Sequence, residues 1–255
     1  MEKITVAIIT KNEEGVIRQC LETVKWADEI IVVDAYSSDK TVRLCREYTD
    51  KIFQNEFIDF SAQKNFALSK AANDWILFID ADEKITPQLK EEISLLVSNE
   101  CDGYRIPRRN IIFGRHLRYG GHQDDLQLRL FRKNRSRFEK PIHEKVIVDG
   151  RIGVLRNYLE HYSTRNLSEY GEKLNLYTDL EAKFMMMQGR TIKKYQFVTN
   201  PIAQFLIRYL YKGGYKDGLE GFLFYSLSSF YTFIKYAKFW ELSKKPNEDE
   251  KRRAA

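Results

Sequence analysis

Each strongly apolar run in the first hundred residues stops at a cluster of polar residues, most of them acidic, and helical patterns separate the runs. Ile4–Ile9 (ITVAII) is continuous and β-branched, as a strand buried on both faces must be. Residues 12–24 carry Val16, Ile17, Cys20, Leu21 and Val24 at helical intervals, which predicts a helix over Asn12–Val24. Ile30–Val33 is a second strand closing on Asp34; Ser38 is placed to cap a short helix reaching Arg46, and Ile52–Phe53 belongs to a third strand. Ser61 is the expected cap of a helix containing Phe66, Ala67 and Ala71. Trp75–Ile79 (WILFI) is a fourth strand, followed by Asp80–Glu83, and Pro87 opens a further helix at its first position. Such alternation predicts an α/β fold, a mostly parallel sheet flanked by helices, with its ligand site at the C-terminal strand ends.

Composition narrows the class. Of 255 residues, 43% are hydrophobic and 31% charged, which is enough for a real core and excludes a disordered chain. Cys20, Cys45 and Cys101 are odd in number and widely spaced, so a disulfide framework is excluded and a reducing compartment is expected. The N-terminus does not read as a signal peptide, and the longest uncharged stretch, Gly221–Ile234, is 14 residues against the roughly 20 a bilayer span needs. The expectation is a cytoplasmic chain without a transmembrane helix. Residues 1–100 carry a net charge of −7 and residues 101–255 one of +13. One half is therefore built around chemistry or metal, and the other faces an anionic partner. From Cys101 the pattern turns to short extended segments (Gly103–Pro107, Ile111–Phe113, Leu126–Arg132, Lys145–Val148). From Ser163 it is helical, with 166–188 a long amphipathic segment. The expected division is a catalytic domain over 1–162, with 1–100 its nucleotide-binding part and 101–162 its acceptor side, and a C-terminal helical region over 163–255.

A dinucleotide site fails at once, because TKNEEG stands where GxGxxG would be needed. The strand ends are acidic instead: Asn12-Glu13-Glu14, Asp34, and Asp80-Ala81-Asp82-Glu83. Any one of these acids could cap a helix or a turn. Together they concentrate like charge on one sheet edge, an arrangement that suits a hard divalent cation bridging to phosphate oxygens.

ITKNEE after the first strand, DAYSSDKT after the second and WILFIDADE after the fourth resemble family 2 glycosyltransferases of the GT-A fold. QLRLFRK, KPIHEKV, HYS, EKLNLYT and GGYKDGLEGFLFYSLSSFYTFIKYAKFWE extend the resemblance over nearly the whole chain. They are similar to the cytoplasmic glycosyltransferases of lipopolysaccharide inner-core assembly, the β-1,4-glucosyltransferase type in particular. Tyr36 and Lys40 depart from the family, which commonly has glycine at both positions. The resemblance implies a nucleotide-sugar pocket lined by Thr10, Asn12, Glu13, Asp34, Lys64, Asp80 and Ala81. In it Asp34 would accept from uracil or ribose, Asp80 would lie near the ribose, and Lys64 would reach the phosphates. Lys64 could equally be a solvated helix lysine. Asp82 would hold Mg²⁺ or Mn²⁺, with His143 as a further contact; His122 and His161 are weaker candidates.

Asp125, in GGHQDDLQLRLF, takes the place of the family's catalytic base, with Asp124 its rival. Arg129, two residues beyond Gln127 and on its face, is expected to pair with the base or the diphosphate. The implied reaction is inverting transfer from a UDP-sugar, glucose foremost, to an inner-core heptose. A capsular or lipid-linked acceptor with another nucleotide-sugar is the near alternative. A basic nucleic-acid-binding protein would explain the +13 half, but no signature of one is present, and no nucleic acid partner is expected. A membrane scaffold with a decayed nucleotide site is opposed by the intact acids. Aromatic and basic residues together beyond Pro201 predict association with an anionic membrane surface, on its cytoplasmic face, beside a lipid-anchored saccharide acceptor. There Leu219, Phe222, Leu223, Leu227, Phe230, Ile234 and Ala237 are expected to form the packed stripe of a helix.

Overall fold

The computed structural model describes residues 2–96, 100–123, 125–139 and 145–244. The chain runs β1 (Ile4–Thr10), α1 (Ile17–Val24), β2 (Glu29–Asp34), α2 (Thr41–Cys45), β3 (Ile52–Gln54), α3 (Phe60–Lys70), β4 (Trp75–Asp80), β5 (Glu83–Ile85) and α4 (Pro87–Ser94). It continues through β6 (Gly103–Ile112), β7 (Arg115–His116), β8 (Leu126–Arg132), β9 (Ser136–Glu139), β10 (Lys145–Val148), β11 (Ile152–Val154) and β12 (Leu159–Thr164), and closes with α5 (Leu167–Met187), α6 (Gln196–Phe205) and α7 (Gly218–Lys244). It divides into two compact units. One is Met1–Asn110 with Asp124–Ser163; the other is Ile111–Gln123 with Thr164–Ala255.

In the first unit β3, β2, β1 and β4 are parallel neighbours. Successive side chains of a strand point to opposite faces, so one apolar run feeds two cores. Val6, Ile8, Val32, Leu77 and Ile79 pack with Ile17, Cys20, Leu21 and Val24 of α1 on one face. Ala7, Ile31, Val33, Ile76 and Phe78 pack with Ala67 and Leu68 of α3 and with Phe138 on the other. Beyond β4 the sheet is no longer parallel. β8 runs antiparallel to β4 and β6 antiparallel to β8, with β12 and β5 completing the order, so the parallel strands continue into a mixed sheet flanked by helices. The reversal brings the polar ends of strands that are distant in sequence against the end of β4.

Local signals are refined in several places. The helix expected from Asn12 begins only at Ile17, because Asn12 holds a left-handed φ of 54°. Asp59, not Ser61, caps α3, its carboxylate accepting from Ala62 N. α2 starts at Thr41 rather than after Ser38, with Asp39 Oδ1 accepting from Thr41 N. Gly103–Pro107 and Ile111–Phe113 are not two segments: one strand, β6, runs through to Ile112. Thr86 caps α4 ahead of Pro87.

The second unit packs α7 on α5 and α6. Its packed face differs from the expected stripe. Gly221, Tyr225, Thr232 and Phe239 are the buried residues of α7, whereas Leu219, Phe222, Leu223 and Phe230 are exposed. Tyr225 turns inward because its hydroxyl donates to the Tyr119 carbonyl and because Gly120 and Gly214 leave room for its ring. Gly120, at φ 68°, combines a left-handed backbone with this contact, so a side chain there is excluded on both counts. Beneath it Asp217 is buried and accepts from the backbone amides of Arg118 (2.9 Å) and Tyr119 (3.0 Å). That carboxylate fastens residues 111–123 to the helices, which is why the segment belongs to their unit. Asp217→Ala would leave two amides without their acceptor and should lower the unfolding free energy by about 3 kcal/mol in a urea titration. Unchanged stability would refute this anchor.

Candidate active site

The polar residues at the ends of β1 and β2 build one loop pair. Asp34 is buried, and its carboxylate accepts from both Ser37 N (2.9 Å) and Ser37 Oγ (2.5 Å). Ser37 Oγ in turn accepts from Asn12 N, and Asn12 Oδ1 accepts from Ser38 N, each at 2.8 Å. Asp34 thus braces the loop through both carboxylate oxygens. Glu13 N donates to Thr41 Oγ1. Tyr36, where glycine is common in the family it resembles, holds φ 55° and is exposed. Asn12 and Tyr36 thus put one left-handed residue in each loop of the pair, the sort of local strain that gathers at binding loops. Thr10 Oγ1 is buried and has no hydrogen-bond partner among the described residues.

At the end of β4 sits an ion-pair network. Arg129 of β8 donates through Nη2 to Asp80 Oδ2 (2.5 Å) and to Glu83 Oε1 (2.6 Å). It does not pair with Asp125. In the antiparallel β4–β8 pairing Leu77 lies opposite Leu130, which sets Arg129 near the C-terminal end of β4, where Asp80 and Glu83 stand. Glu83 is fully buried; its Oε2 accepts from Asp80 N (2.9 Å), and Arg108 Nη1 lies 3.5 Å from its Oε1. Lys64 is no solvated helix lysine. It is buried on α3, 3.6 Å from Asp80 Oδ1, with its ammonium over the rings of Phe78 and Phe138. Ala81 is buried in the same turn. Burial alone would raise the Asp80 carboxyl, but Arg129 and then Lys64 overcome it and hold the group well below the usual carboxylate range. The same two carboxylates overcome burial in the other direction at Arg129 and raise its pKa.

Asp125 lies at the start of β8, half-way out of this network. Its Oδ2 accepts from Arg108 Nε (2.9 Å) and Asn110 Nδ2 (2.8 Å), and its Oδ1 from Gln127 Nε2 (2.5 Å). Burial opposes ionisation there, yet Arg108 and these hydrogen bonds lower its pKa. The fourth group is His161 of β12. Pairing of His161 with Glu83 across β12 and β5 sets its ring beside the β4–β5 turn, with Nε2 3.5 Å from Asp82 Oδ2. Its Nδ1 lies 2.8 Å from Asn110 Oδ1. Asp124 and His143 lie outside the described residues. His122 belongs to the other unit, packed against Phe224 and Tyr225.

The chain therefore assembles Asp80, Asp82, Glu83, Asn110, Asp125, Arg129 and His161 at one sheet edge. Asn110 escapes a sequence reading, Glu83 is marked there only as one of the strand-end acids, and His161 only as a weaker candidate. Glu83 sits in the DADE run, His161 in HYS, and Asn110 in a strand where nothing marks it. Among the described residues no cluster of three or more His, Cys, Asp or Glu side chains forms a closed metal cage. Asp82 with His161 instead offers one oxygen and one nitrogen ligand. That pair suits a divalent cation whose other positions are filled by substrate oxygens.

Residues 5–163 match the family described as Glycosyl transferase family 2. The chain is 29% identical to the lipopolysaccharide core biosynthesis glycosyltransferase LpsC of Rhizobium meliloti, over 97% of this chain and 96% of that protein. It is 31% identical to an uncharacterized glycosyltransferase of Rickettsia typhi, over 96% of this chain and 89% of that one. Among solved structures it is similar to the mannosyltransferase PcManGT of Pyrobaculum calidifontis, solved with GDP-Man and Mn²⁺. The TM-score is 0.54 at 14% identity, over 94% of this chain and 87% of that one, a likeness of fold. The fold is that of the GT-A glycosyltransferases, extended by C-terminal helices.

Removing one partner from a buried ion pair leaves the other charge uncompensated. Arg129→Met should cost about 3 to 5 kcal/mol of unfolding free energy near neutral pH. Because the folded Asp80 pKa is depressed, the stability it adds is present above the ordinary carboxylate value of about 3.9 and is lost as pH falls through the folded value. Wild-type and variant stabilities, read by urea titration across acid pH, should converge toward low pH. Parallel curves would show that Asp80 does not depend on Arg129.

Proposed function

The chain belongs to glycosyl transferase family 2, and from that membership we propose that it is an inverting, cation-dependent enzyme that moves glucose from UDP-glucose to a heptose of the lipopolysaccharide inner core. The observation that carries this reading is the placement of Asp82 with His161 beside Asp125, a cation pair next to an ionised carboxylate. The name of the Rhizobium meliloti relative, similar over nearly its full length, supports the acceptor class.

In this reading Thr10, Asn12 and Glu13 line the nucleotide pocket, with Asp34 holding the Ser37 loop beneath them. Asp82 and His161 would hold Mg²⁺ or Mn²⁺, which when bound neutralises the charge growing on the departing diphosphate. Whether His143 joins them is part of the proposal. Lys64 and Arg129 keep Asp80 ionised and fixed near the ribose. The acceptor hydroxyl gives its proton to Asp125 as its oxygen bonds to the anomeric carbon, and the carbon–oxygen bond to UDP breaks on the opposite side. Because the Asp125 pKa is lowered, the base is ionised at any working pH. A depressed pKa makes a weaker base, so the rate depends on holding the hydroxyl in line.

The experiment is a panel of nucleotide-sugars assayed for transfer with Mn²⁺ and with EDTA. UDP-glucose with Mn²⁺ should be the active combination. Asp82→Asn should lose cation-dependent UDP affinity, and Asp125→Asn should lose roughly 10²–10⁴ in turnover with donor binding kept. Activity surviving in EDTA would overturn the cation, loss in Asp124→Asn instead would move the base to that residue, and preference for another nucleotide-sugar would overturn the donor.

The helical unit is proposed to rest on an anionic membrane surface, which suits a lipid-anchored acceptor. No described helix is long and apolar enough to cross a membrane. Leu206, Ile207, Leu210, Tyr211, Leu219, Phe222 and Phe230 are exposed in this unit, with Lys212 and Lys216 nearby in sequence. Lys235 and Lys238 are taken by Glu181 and Asp179 and do not contribute. Each cation near an anionic surface adds about 1 kcal/mol, so binding is reversible and salt-sensitive. The protein should float with anionic vesicles at low salt, and the double variant Leu210→Ser, Tyr211→Ser should float less. Equal flotation of wild type and variant, or none with anionic lipid, would refute this surface.

A further inference from the structure

Asn110 is almost fully buried on β6, and both ends of its amide are committed to residues with proposed roles in the reaction. Nδ2 lies 2.8 Å from Asp125 Oδ2, and Oδ1 lies 2.8 Å from His161 Nδ1. The orientation of that amide follows from chemistry. The Asp125 carboxylate, held ionised by its neighbours, can only accept, so the amide edge facing it must be the NH₂. The carbonyl oxygen then faces His161, and Nδ1 must carry a proton to donate to it. In the neutral ring this leaves the lone pair on Nε2, the atom 3.5 Å from Asp82 Oδ2. An imidazole lone pair and a carboxylate turned toward one point are two electron-pair donors, which is what a cation between them requires.

We propose that Asn110 is a positioning residue that couples the base to the cation site. Its one amide orients Asp125 and, by setting the His161 tautomer, directs the Nε2 lone pair toward Asp82. This inference rests on the cation and base roles assigned above. The coupling is geometric: rotating the amide by 180° would turn a carbonyl on Asp125 and an NH₂ on Nδ1–H, so both contacts are kept or lost together. Arg108, two residues earlier on the same face of β6, shares Asp125 Oδ2 but does not touch His161, so it cannot substitute.

Two variants separate the arms. Asn110→Leu keeps the volume and removes both contacts. Asn110→Asp keeps an acceptor for His161 Nδ1–H and replaces the donor to Asp125 with a second carboxylate. Mn²⁺ binding in the presence of UDP is read by electron paramagnetic resonance at pH 8, and turnover is read separately with the full chain; circular dichroism confirms folding of each. Asn110→Leu should weaken Mn²⁺ binding by about 10- to 100-fold, the usual effect of losing a residue that orients a metal ligand, and should lower turnover as well. Asn110→Asp should bind Mn²⁺ within threefold of wild type and still lose turnover. A purely structural asparagine would lower both readouts in Asn110→Asp just as in Asn110→Leu.

Parallel losses in the two variants, or a folded Asn110→Leu with wild-type Mn²⁺ affinity, would overturn the inference. If wild type itself bound no Mn²⁺ with UDP, the failure would lie in the cation reading instead. Should Asn110→Leu not fold, Asn110→Asp alone decides: Mn²⁺ affinity kept with turnover lost supports the coupling, and any other pairing refutes it.

Discussion

Glu83 is the residue on which the active-site edge depends. It is fully buried, one residue past Asp82, and it accepts at once from the Asp80 backbone amide, from Arg129 of β8 and, at longer range, from Arg108 of β6. Three acids within four residues repel one another and lose hydration at a strand end; without compensation the turn would open or its carboxylates would protonate. Two guanidiniums from two different strands supply that compensation. Their planar forks can serve two carboxylates at once, which lysine could not do in the same place. The antiparallel strands therefore do more than extend the sheet: they carry the countercharge that allows DADE to exist.

Arg108 leads from this network to the base. It reaches toward Glu83 on one side and donates to Asp125 on the other. Asp80 at the end of β4 and Asp125 at the start of β8 are thus held by one chain of ion pairs, Asp80 to Arg129 to Glu83 to Arg108 to Asp125. Such a chain has little freedom to relax, and its rigidity suits the in-line transfer proposed above. The same logic in another chemistry governs the helical unit, where the buried Asp217 carboxylate gathers two backbone amides and lies 3.4 Å from the Tyr225 hydroxyl. In both units a buried acid gathers backbone amides of a neighbouring segment.

Much of this was legible in the residue order, and the reasons are local. Runs such as ITVAII and WILFI can only be buried strands, and the acids that follow them must lie at one edge of a sheet whose strands are parallel. DADE is short enough that neighbours in sequence are neighbours in space, so Asp82 could be singled out from the chain alone, whereas the Asn12–Ser37 contact joins two loops. The left-handed φ of Tyr36 also explains why glycine is common there in the family the chain resembles. The apolar periodicity of α7 was visible too, but not which side of it is packed. Leu219 and Phe222 look as apolar as Tyr225, and only the glycines at 120 and 214 select the tyrosine for burial.

The sequence by itself determined the strand–helix alternation, the acidic edge and the identity of the acids, because these follow from burial and from spacing along a few residues. The tertiary structure decided the partners: that Arg129 serves Asp80 and Glu83 rather than Asp125, that Lys64 is buried, and that His161 and Asn110 belong to the site at all. The choices at Arg129, His161 and Asn110 depend on strand register across an antiparallel boundary, where residues 49 to 51 positions apart come within hydrogen-bond reach. A one-residue slip would turn each of them to the opposite face of the sheet. No periodicity within a single segment encodes that register; it is set by the whole sheet closing on its two cores.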